Sequence, residues 1–286
     1  MAATHESVQI LSTRSGSTYL VEMGNPQGRP ILVLHGGLGL DHGYLRPTFD
    51  QLGNEYRVIY YDHLGNGRSE RELDYDAITS NQIWIDQLSD VISMLGLERP
   101  IIMGHSYGGY LTLSWAEQNR DADAELVLLT TSAKLDHLDL VMENARKRGS
   151  AESLRAVEED LSRPQESDED WERTWRALLP MYFHDPKPDV LEQAVAGAQF
   201  SHRAFNAAHL RIVPTYNTVD ALPGIRQRTL VISGDDDWIL PLDPCSLLLA
   251  STIPNADLAV IPAAGHFPFV EQPEAFLAVL RSWLRG

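Results

Sequence analysis

The chain has 286 residues, of which 43% are hydrophobic and 22% are charged, so it can bury the large core of a globular protein. Its formal net charge of −17 argues against nucleic acid and anionic membranes as partners, because both would repel it. The single cysteine, Cys245, excludes an internal disulfide framework and suits a reducing compartment. The first ten residues carry no basic, apolar leader and no apolar stretch approaches the ~20 residues of a membrane span, so we expect a cytoplasmic protein.

Short β-like segments alternate with helical segments along the first half of the chain. The continuous apolar run at residues 30–34 predicts a central parallel strand, and the helical spacing of apolar residues in 78–95 predicts an amphipathic helix. The predicted strands are 8–13, 18–23, 30–34, 57–61, 101–103 and 126–130, and the predicted helices are 45–52, 78–95 and 107–119.

The alternation stops at Lys134, and the sequence stays helical, polar and poor in strands until Leu222. Strands are predicted again at 229–233 and 258–261, followed by a closing helix at 276–284. Strands that alternate with helices predict a mostly parallel sheet covered on both faces. We therefore expect an α/β core from residues 1–133 and 223–286, and a helical cap from residues 134–222 over the carboxyl ends of the strands.

A candidate nucleophile follows the apolar run at residues 100–103. Residues 104–108 read Gly-His-Ser-Tyr-Gly, which is the G-x-S-x-G pattern of a sharp strand-to-helix turn that exposes a serine hydroxyl. Ser106 is therefore the expected nucleophile, and the amide that follows it, on Tyr107, is an expected oxyanion donor. A serine hydroxyl is weak at neutral pH, so it needs a histidine base held by a carboxylate.

The remaining partners come later in the chain and in the order acid, then histidine. Asp235, Asp236 and Asp237 follow the predicted strand 229–233, and His266 follows the last predicted strand. The carboxyl ends of parallel strands meet at one edge of a sheet, so these groups are expected to converge with Ser106 there. Chain order alone leaves the choice among the three aspartates open.

These motifs resemble those of the α/β-hydrolase superfamily, and the resemblance covers nearly the whole chain. Residues 35–39, His-Gly-Gly-Leu-Gly, are similar to the H-G-G-P-G motif of proline iminopeptidases, and residues 62–69 are similar to their D-x-x-G-x-G-x-S loop. The resemblance implies an α/β-hydrolase fold with an inserted cap. It also selects Asp237, since Gly234 and Asp237 match the family's G-x-x-D spacing, and it makes Gly37 the second oxyanion donor. Leu38 replaces the motif's proline, so proline specificity is not carried over.

The expected function is a serine hydrolase that cleaves a small-molecule carboxylic ester or amide through an acyl-enzyme, with no cofactor and no metal. The alternatives on the same fold are a proline iminopeptidase-like aminopeptidase, a lactonase, a ligand-binding receptor, and a cofactor-free dioxygenase or carbon–carbon hydrolase. The sequence leaves the oligomeric state open.

Two further sets of residues bear on substrate. An aminopeptidase needs carboxylates for the substrate ammonium, for which the cap offers Glu158, Glu159 and Asp160, although a solvated helix face is the favoured explanation of these acids. The expected substrate contacts are Gly36, His105, Trp175 and Phe205. The histidines outside the triad, His209 among them, show no metal-binding spacing and are interpreted as structural.

Overall fold

The computed structural model describes residues 5–286, except for the side chain of Asp160. Its centre is one eight-stranded sheet with the strand order β1-β2-β4-β3-β5-β6-β7-β8. The strands are β1 His5–Thr13, β2 Gly16–Gly24, β3 Pro30–Leu34, β4 Arg57–Tyr61, β5 Ile101–His105, β6 Glu125–Leu129, β7 Thr229–Gly234 and β8 Ala256–Ile261.

Only the first two pairings along the sheet are antiparallel, β1 with β2 and β2 with β4. All the others are parallel, so β3, β5, β6, β7 and β8 end at the same edge. The register pairs Leu34 with Gly104 and His105 with Leu129, which brings the loops that follow these strands together. The predicted α/β fold class, a mostly parallel sheet flanked by helices, is confirmed.

Helices cover the sheet and fill the interval between β6 and β7. They are α1 Arg46–Phe49, α2 Gln82–Met94, α3 Tyr107–Gln118, α4 Leu138–Arg148, α5 Ala151–Arg155, α6 Asp168–Leu178, α7 Pro188–Val195, α8 His202–Ala207, α9 Leu247–Thr252, α10 Pro268–Glu271 and α11 Pro273–Leu284. No helix within residues 5–286 is long and apolar enough to cross a membrane.

The structure shifts several of the predicted boundaries. The predicted helix 45–52 is a single α-turn between two 3₁₀ turns, and α2 starts at Gln82 because Ile78 is extended. Strand β8 begins at Ala256, where it pairs with Thr229. Helices α4 to α8 all lie within the expected cap of residues 134–222; that this block is a separate unit stays a prediction.

Strand alternation divides the interior into two hydrophobic layers. In β3, Ile31 and Val33 face one layer and Leu32 and Leu34 face the other, as the period of two requires. The first layer continues into the block between β6 and β7 through residues such as Trp171. One core therefore joins the sheet to the helices above its carboxyl edge.

The central strand provides the first test of this architecture. Leu32 is fully buried, so the Leu32→Ala substitution leaves a cavity and should lower the free energy of unfolding by about 2–5 kcal/mol in urea denaturation. Ile10 on β1 is 56% exposed, so Ile10→Ala should change that free energy by less than about 0.5 kcal/mol. Equal losses in the two variants would contradict this assignment of the core.

Candidate active site

Ser106 lies at the turn between β5 and α3, where its backbone has φ of 53° and ψ of −116°. Residues other than glycine rarely adopt such a conformation, which costs on the order of 1–3 kcal/mol. The flanking glycines permit the turn, because a Cβ atom on Gly104 would meet the Gly108 carbonyl and one on Gly108 would meet the Leu34 carbonyl. Thr131 Oγ1 donates a hydrogen bond of 2.8 Å to the Ser106 carbonyl and holds the turn.

Asp237 and His266 form a buried pair in the loops after β7 and β8. His266 Nδ1 lies 2.6 Å from Asp237 Oδ2, and the other carboxylate oxygen accepts 3.1 Å hydrogen bonds from the amides of Ile239 and Leu240. Because a carboxylate only accepts, Nδ1 of the ring carries the proton and Nε2 is left as an acceptor. This is the tautomer that a general base requires.

The main chain of His266 is held from both sides. Its amide donates to the Tyr182 carbonyl at 2.7 Å, and its carbonyl accepts from Thr130 Oγ1 at 3.0 Å. The Tyr182 ring also packs edge-on against the imidazole, with ring centroids 5.2 Å apart. Tyr182 is the last residue of the 3₁₀ turn that follows α6, so the helical block between β6 and β7 helps to position the histidine.

Glu271 connects the loop that carries His266 to the helical block between β6 and β7 through three backbone amides. Its Oε2 accepts from Gly265 at 2.6 Å, and its Oε1 accepts from His184 at 2.7 Å and from Asp185 at 3.1 Å. Burial raises the pKa of the Glu271 carboxyl, although these amides oppose that shift. One side chain thus links the residue before His266 to the segment after Tyr182.

The expected oxyanion donors lie beside Ser106. Gly37 and Tyr107 line the same cavity as Ser106 and His266. Tyr107 is the first residue of α3, so its amide has no partner within the helix, and within residues 5–286 neither its amide nor that of Gly37 donates a hydrogen bond. Both amides are therefore free to bind a developing oxyanion.

The loop at residues 62–69 supports the segment that carries Gly37. Asn66 Oδ1 accepts a 2.6 Å hydrogen bond from the Gly39 amide. Burial would raise the pKa of the Asp62 carboxyl, but hydrogen bonds from the His42 ring and the Arg68 amide lower it to about 2. The motif therefore supports, from a buried position, the loop that carries Gly37.

Gly36 and His105 lie behind the cavity wall instead of on it. The Gly36 amide donates to Tyr44 Oη at 2.7 Å, the Tyr44 hydroxyl donates to His105 Nδ1 at 2.7 Å, and His105 Nε2 donates to the His266 carbonyl at 3.0 Å. Burial lowers the pKa of the His105 ring, which keeps it neutral and suits this order of donors. Since both ring nitrogens are used, His105 is not available to substrate. These consecutive hydrogen bonds join the loop that carries Gly36 to the loop that carries His266.

Trp175 and Phe205, in contrast, line the cavity, which has a volume of about 380 Å³. Its wall combines residues of the strand-end loops with residues of α4, α6 and α8 and is largely apolar. Among the described side chains on this wall there is no aspartate, glutamate, lysine or arginine. The space next to Ser106 therefore suits an uncharged group.

The other acidic candidates lie elsewhere. Glu158 and Glu159 are exposed, and Glu158 pairs with Arg146 at 3.8 Å; the side chain of Asp160 is outside the described part of the chain. Asp236 pairs with Arg148 and His184, and Asp235 accepts a 3.3 Å hydrogen bond from the Ala264 amide.

Sequence reasoning missed three residues of this site, namely Tyr182, Glu271 and His209. Tyr182 and His209 line the cavity, and Glu271 fixes the histidine loop. The proximity of Glu271 to His266 in sequence was a weak signal for that residue. Within the described part of the chain, no group of three or more histidine, cysteine or acidic residues forms a possible metal site.

Comparisons with known proteins extend over most of the chain. A family model described as alpha/beta hydrolase fold matches residues 29–273. A putative carbamate hydrolase, RutD, from Caulobacter vibrioides is 28% identical over 281 residues, which are 96% of this chain and 98% of the relative. A proline iminopeptidase from Lactobacillus delbrueckii subsp. lactis is 26% identical over 93% of this chain and 94% of its own. The solved structure of a thermophilic esterase from Thermogutta terrifontis is 27% identical, with a TM-score of 0.74 over 98% of both chains.

The role of Glu271 can be tested by stability. The Glu271→Ala substitution leaves three backbone amides without their acceptor and should lower the free energy of unfolding by about 1–3 kcal/mol in chemical denaturation. Glu274 is exposed on the following helix, so Glu274→Ala is the matched control and should have almost no effect. A stable Glu271→Ala variant would show that this carboxylate does not hold the loop.

Proposed function

This chain belongs to the α/β-hydrolase family, and from that membership we propose that it is a serine hydrolase that cleaves small carboxylic esters or amides through an acyl-enzyme. One observation carries the proposal: His266 Nδ1 lies 2.6 Å from Asp237 Oδ2, and His266 and Ser106 share one cavity wall. The hydrolase names of the relatives support the same chemistry.

In the proposed reaction, Ser106 Oγ attacks the substrate carbonyl carbon while His266 Nε2 takes the hydroxyl proton. The carboxylate of Asp237 stabilises the imidazolium, and the amides of Gly37 and Tyr107 bind the oxyanion. His266 then gives the proton to the leaving alcohol or amine, and the carbon–oxygen or carbon–nitrogen bond breaks. Water that is deprotonated by the same histidine attacks the acyl-enzyme, which releases the acid and restores Ser106.

The cavity wall favours uncharged substrates. An N-terminal amine would need a carboxylate partner, and the described side chains of the wall offer none. This supports an ester, a neutral amide or a lactone over an aminopeptidase substrate, although proline iminopeptidases are among the relatives. The single cysteine supports a reducing location such as the cytoplasm.

The nucleophile is tested by kinetics with p-nitrophenyl esters. The Ser106→Ala substitution should lower kcat by about 10⁴-fold or more, because it removes the group that forms the acyl-enzyme. The variant should keep its circular dichroism spectrum and lose labelling by a fluorophosphonate. Wild-type turnover by a folded Ser106→Ala protein would refute the proposal.

The acid is tested by a pair of neighbouring substitutions. Asp237→Asn should lower kcat on the order of 10⁴-fold, because an amide at this position favours the wrong tautomer of His266. Asp235→Asn is the matched control and should keep most of the activity, since Asp235 contacts only a backbone amide in the turn. If Asp235→Asn were the inactive variant, the assigned acid would be wrong.

A further inference from the structure

A wall of stacked aromatic rings runs through the cavity from the loop that carries Gly37 and Gly39. It begins with Trp171, whose indole Nε1 donates a 2.9 Å hydrogen bond to the Gly39 carbonyl. The Phe205 ring stacks on Trp171 with centroids 3.7 Å apart, and the His209 ring stacks on Phe205 with centroids 4.9 Å apart. All three rings line the cavity, so His209 forms the polar end of an otherwise apolar wall.

The hydrogen bond of His209 fixes which nitrogen is available. Its Nε2 lies 3.1 Å from the Leu161 carbonyl, which only accepts, so Nε2 carries a proton. Burial lowers the pKa of the ring, which keeps it neutral and leaves Nδ1 as an unprotonated acceptor. Within residues 5–286 Nδ1 has no hydrogen-bond partner, and it is not among the fully enclosed polar atoms that lack one. It is therefore open to a ligand.

We infer that His209 is a specificity-determining residue that accepts, at Nδ1, a hydrogen bond from a neutral hydroxyl or amide N–H group on the acyl part of the substrate. The wall starts at the loop that carries Gly37, the proposed donor to the acyl carbonyl oxygen, and the inference places the acyl part of the substrate along it. The inference rests on the proposed serine hydrolase activity and deepens it by naming the substrate class.

The charges around the wall decide between classes of donor. A substrate ammonium could also donate to an imidazole, but the described wall contains no carboxylate to offset its charge. A substrate carboxylate would need a lysine or arginine, which the wall lacks as well. A hydroxyl or an amide remains, and its partner nitrogen is held rigidly by the stack on Phe205 and the bond to Leu161.

The test compares matched p-nitrophenyl esters. The acyl groups are β-hydroxybutanoate, ω-hydroxyhexanoate and ω-hydroxyoctanoate, each beside the ester in which a methyl group replaces the hydroxyl. The wild type should prefer at least one hydroxy ester in kcat/KM. His209→Phe keeps an aromatic ring but removes the acceptor, so that preference should fall about tenfold while the methyl esters are cleaved within a few-fold of wild type.

Two further variants separate recognition from folding. His209→Gln keeps a donor for the Leu161 carbonyl and offers an amide oxygen as a replacement acceptor, so it should lose less of the preference than His209→Phe does. Ser162 also lines the cavity, but its hydroxyl already donates to the Glu159 carbonyl at 2.7 Å, so Ser162→Ala should keep the preference. An unchanged preference in His209→Phe, or cleavage of both esters of every pair with equal kcat/KM by the wild type, would overturn the inference.

Binding measurements distinguish failure of the inference about His209 from failure of the proposed serine hydrolase function. The same ester pairs are titrated into Ser106→Ala, alone and combined with His209→Phe, and dissociation constants are read from the fluorescence of the cavity tryptophans. Tighter binding of one hydroxy ester, lost about tenfold with His209→Phe, supports the inference even if the wild type hydrolyses nothing. Equal affinities within every pair would contradict it even if all the esters are hydrolysed.

Discussion

The site depends on the turn between β5 and α3, where Ser106 has a positive φ that serine rarely adopts. The turn persists because its surroundings leave no alternative: the Ser106 amide donates to the Leu129 carbonyl at 2.9 Å, and Thr131 holds the Ser106 carbonyl. Gly104 and Gly108 occupy positions at which any side chain would meet backbone. Contacts with the parallel sheet thus hold the strained backbone of Ser106 in place. This backbone conformation puts the serine side chain on the wall of the cavity.

The loop that carries Gly36 and Gly37 and the loop that carries His266 are connected to each other and to the helices above them. The Tyr44 and His105 side chains connect the Gly36 amide to the His266 carbonyl through three consecutive hydrogen bonds. On the other side, His266 donates its amide to Tyr182, at the end of the segment that follows α6. A shift of the helical block would therefore move His266, the proposed base, so this block bears on the geometry of the candidate site as well as on the shape of the cavity.

The local sequence patterns predicted the fold correctly and named candidate residues at the strand ends, whose catalytic roles stay predictions. The apolar run of β3 and the glycines around Ser106 are determined by local structure, a buried strand and a tight turn, so both could be interpreted without a structure. Contacts between distant segments could not be predicted in this way. Glu271 accepts hydrogen bonds from amides about 86 residues away in sequence, and the nitrogen of His209 that is open to a ligand depends on which one donates to the Leu161 carbonyl. Gly36 and His105 lie next to motif residues in sequence, yet their polar groups point away from the cavity into the hydrogen-bonded chain behind it.

We propose that Ser106 carries the acyl group during turnover. The most direct measurement is rapid mixing with p-nitrophenyl acetate, an acid quench, and mass spectrometry of the digested protein. We expect a burst of one p-nitrophenol per active site and an acetyl group on the peptide that contains Ser106, which disappears as hydrolysis is completed. Steady hydrolysis with no acetylated peptide, or with the acetyl group on another residue, would contradict the account.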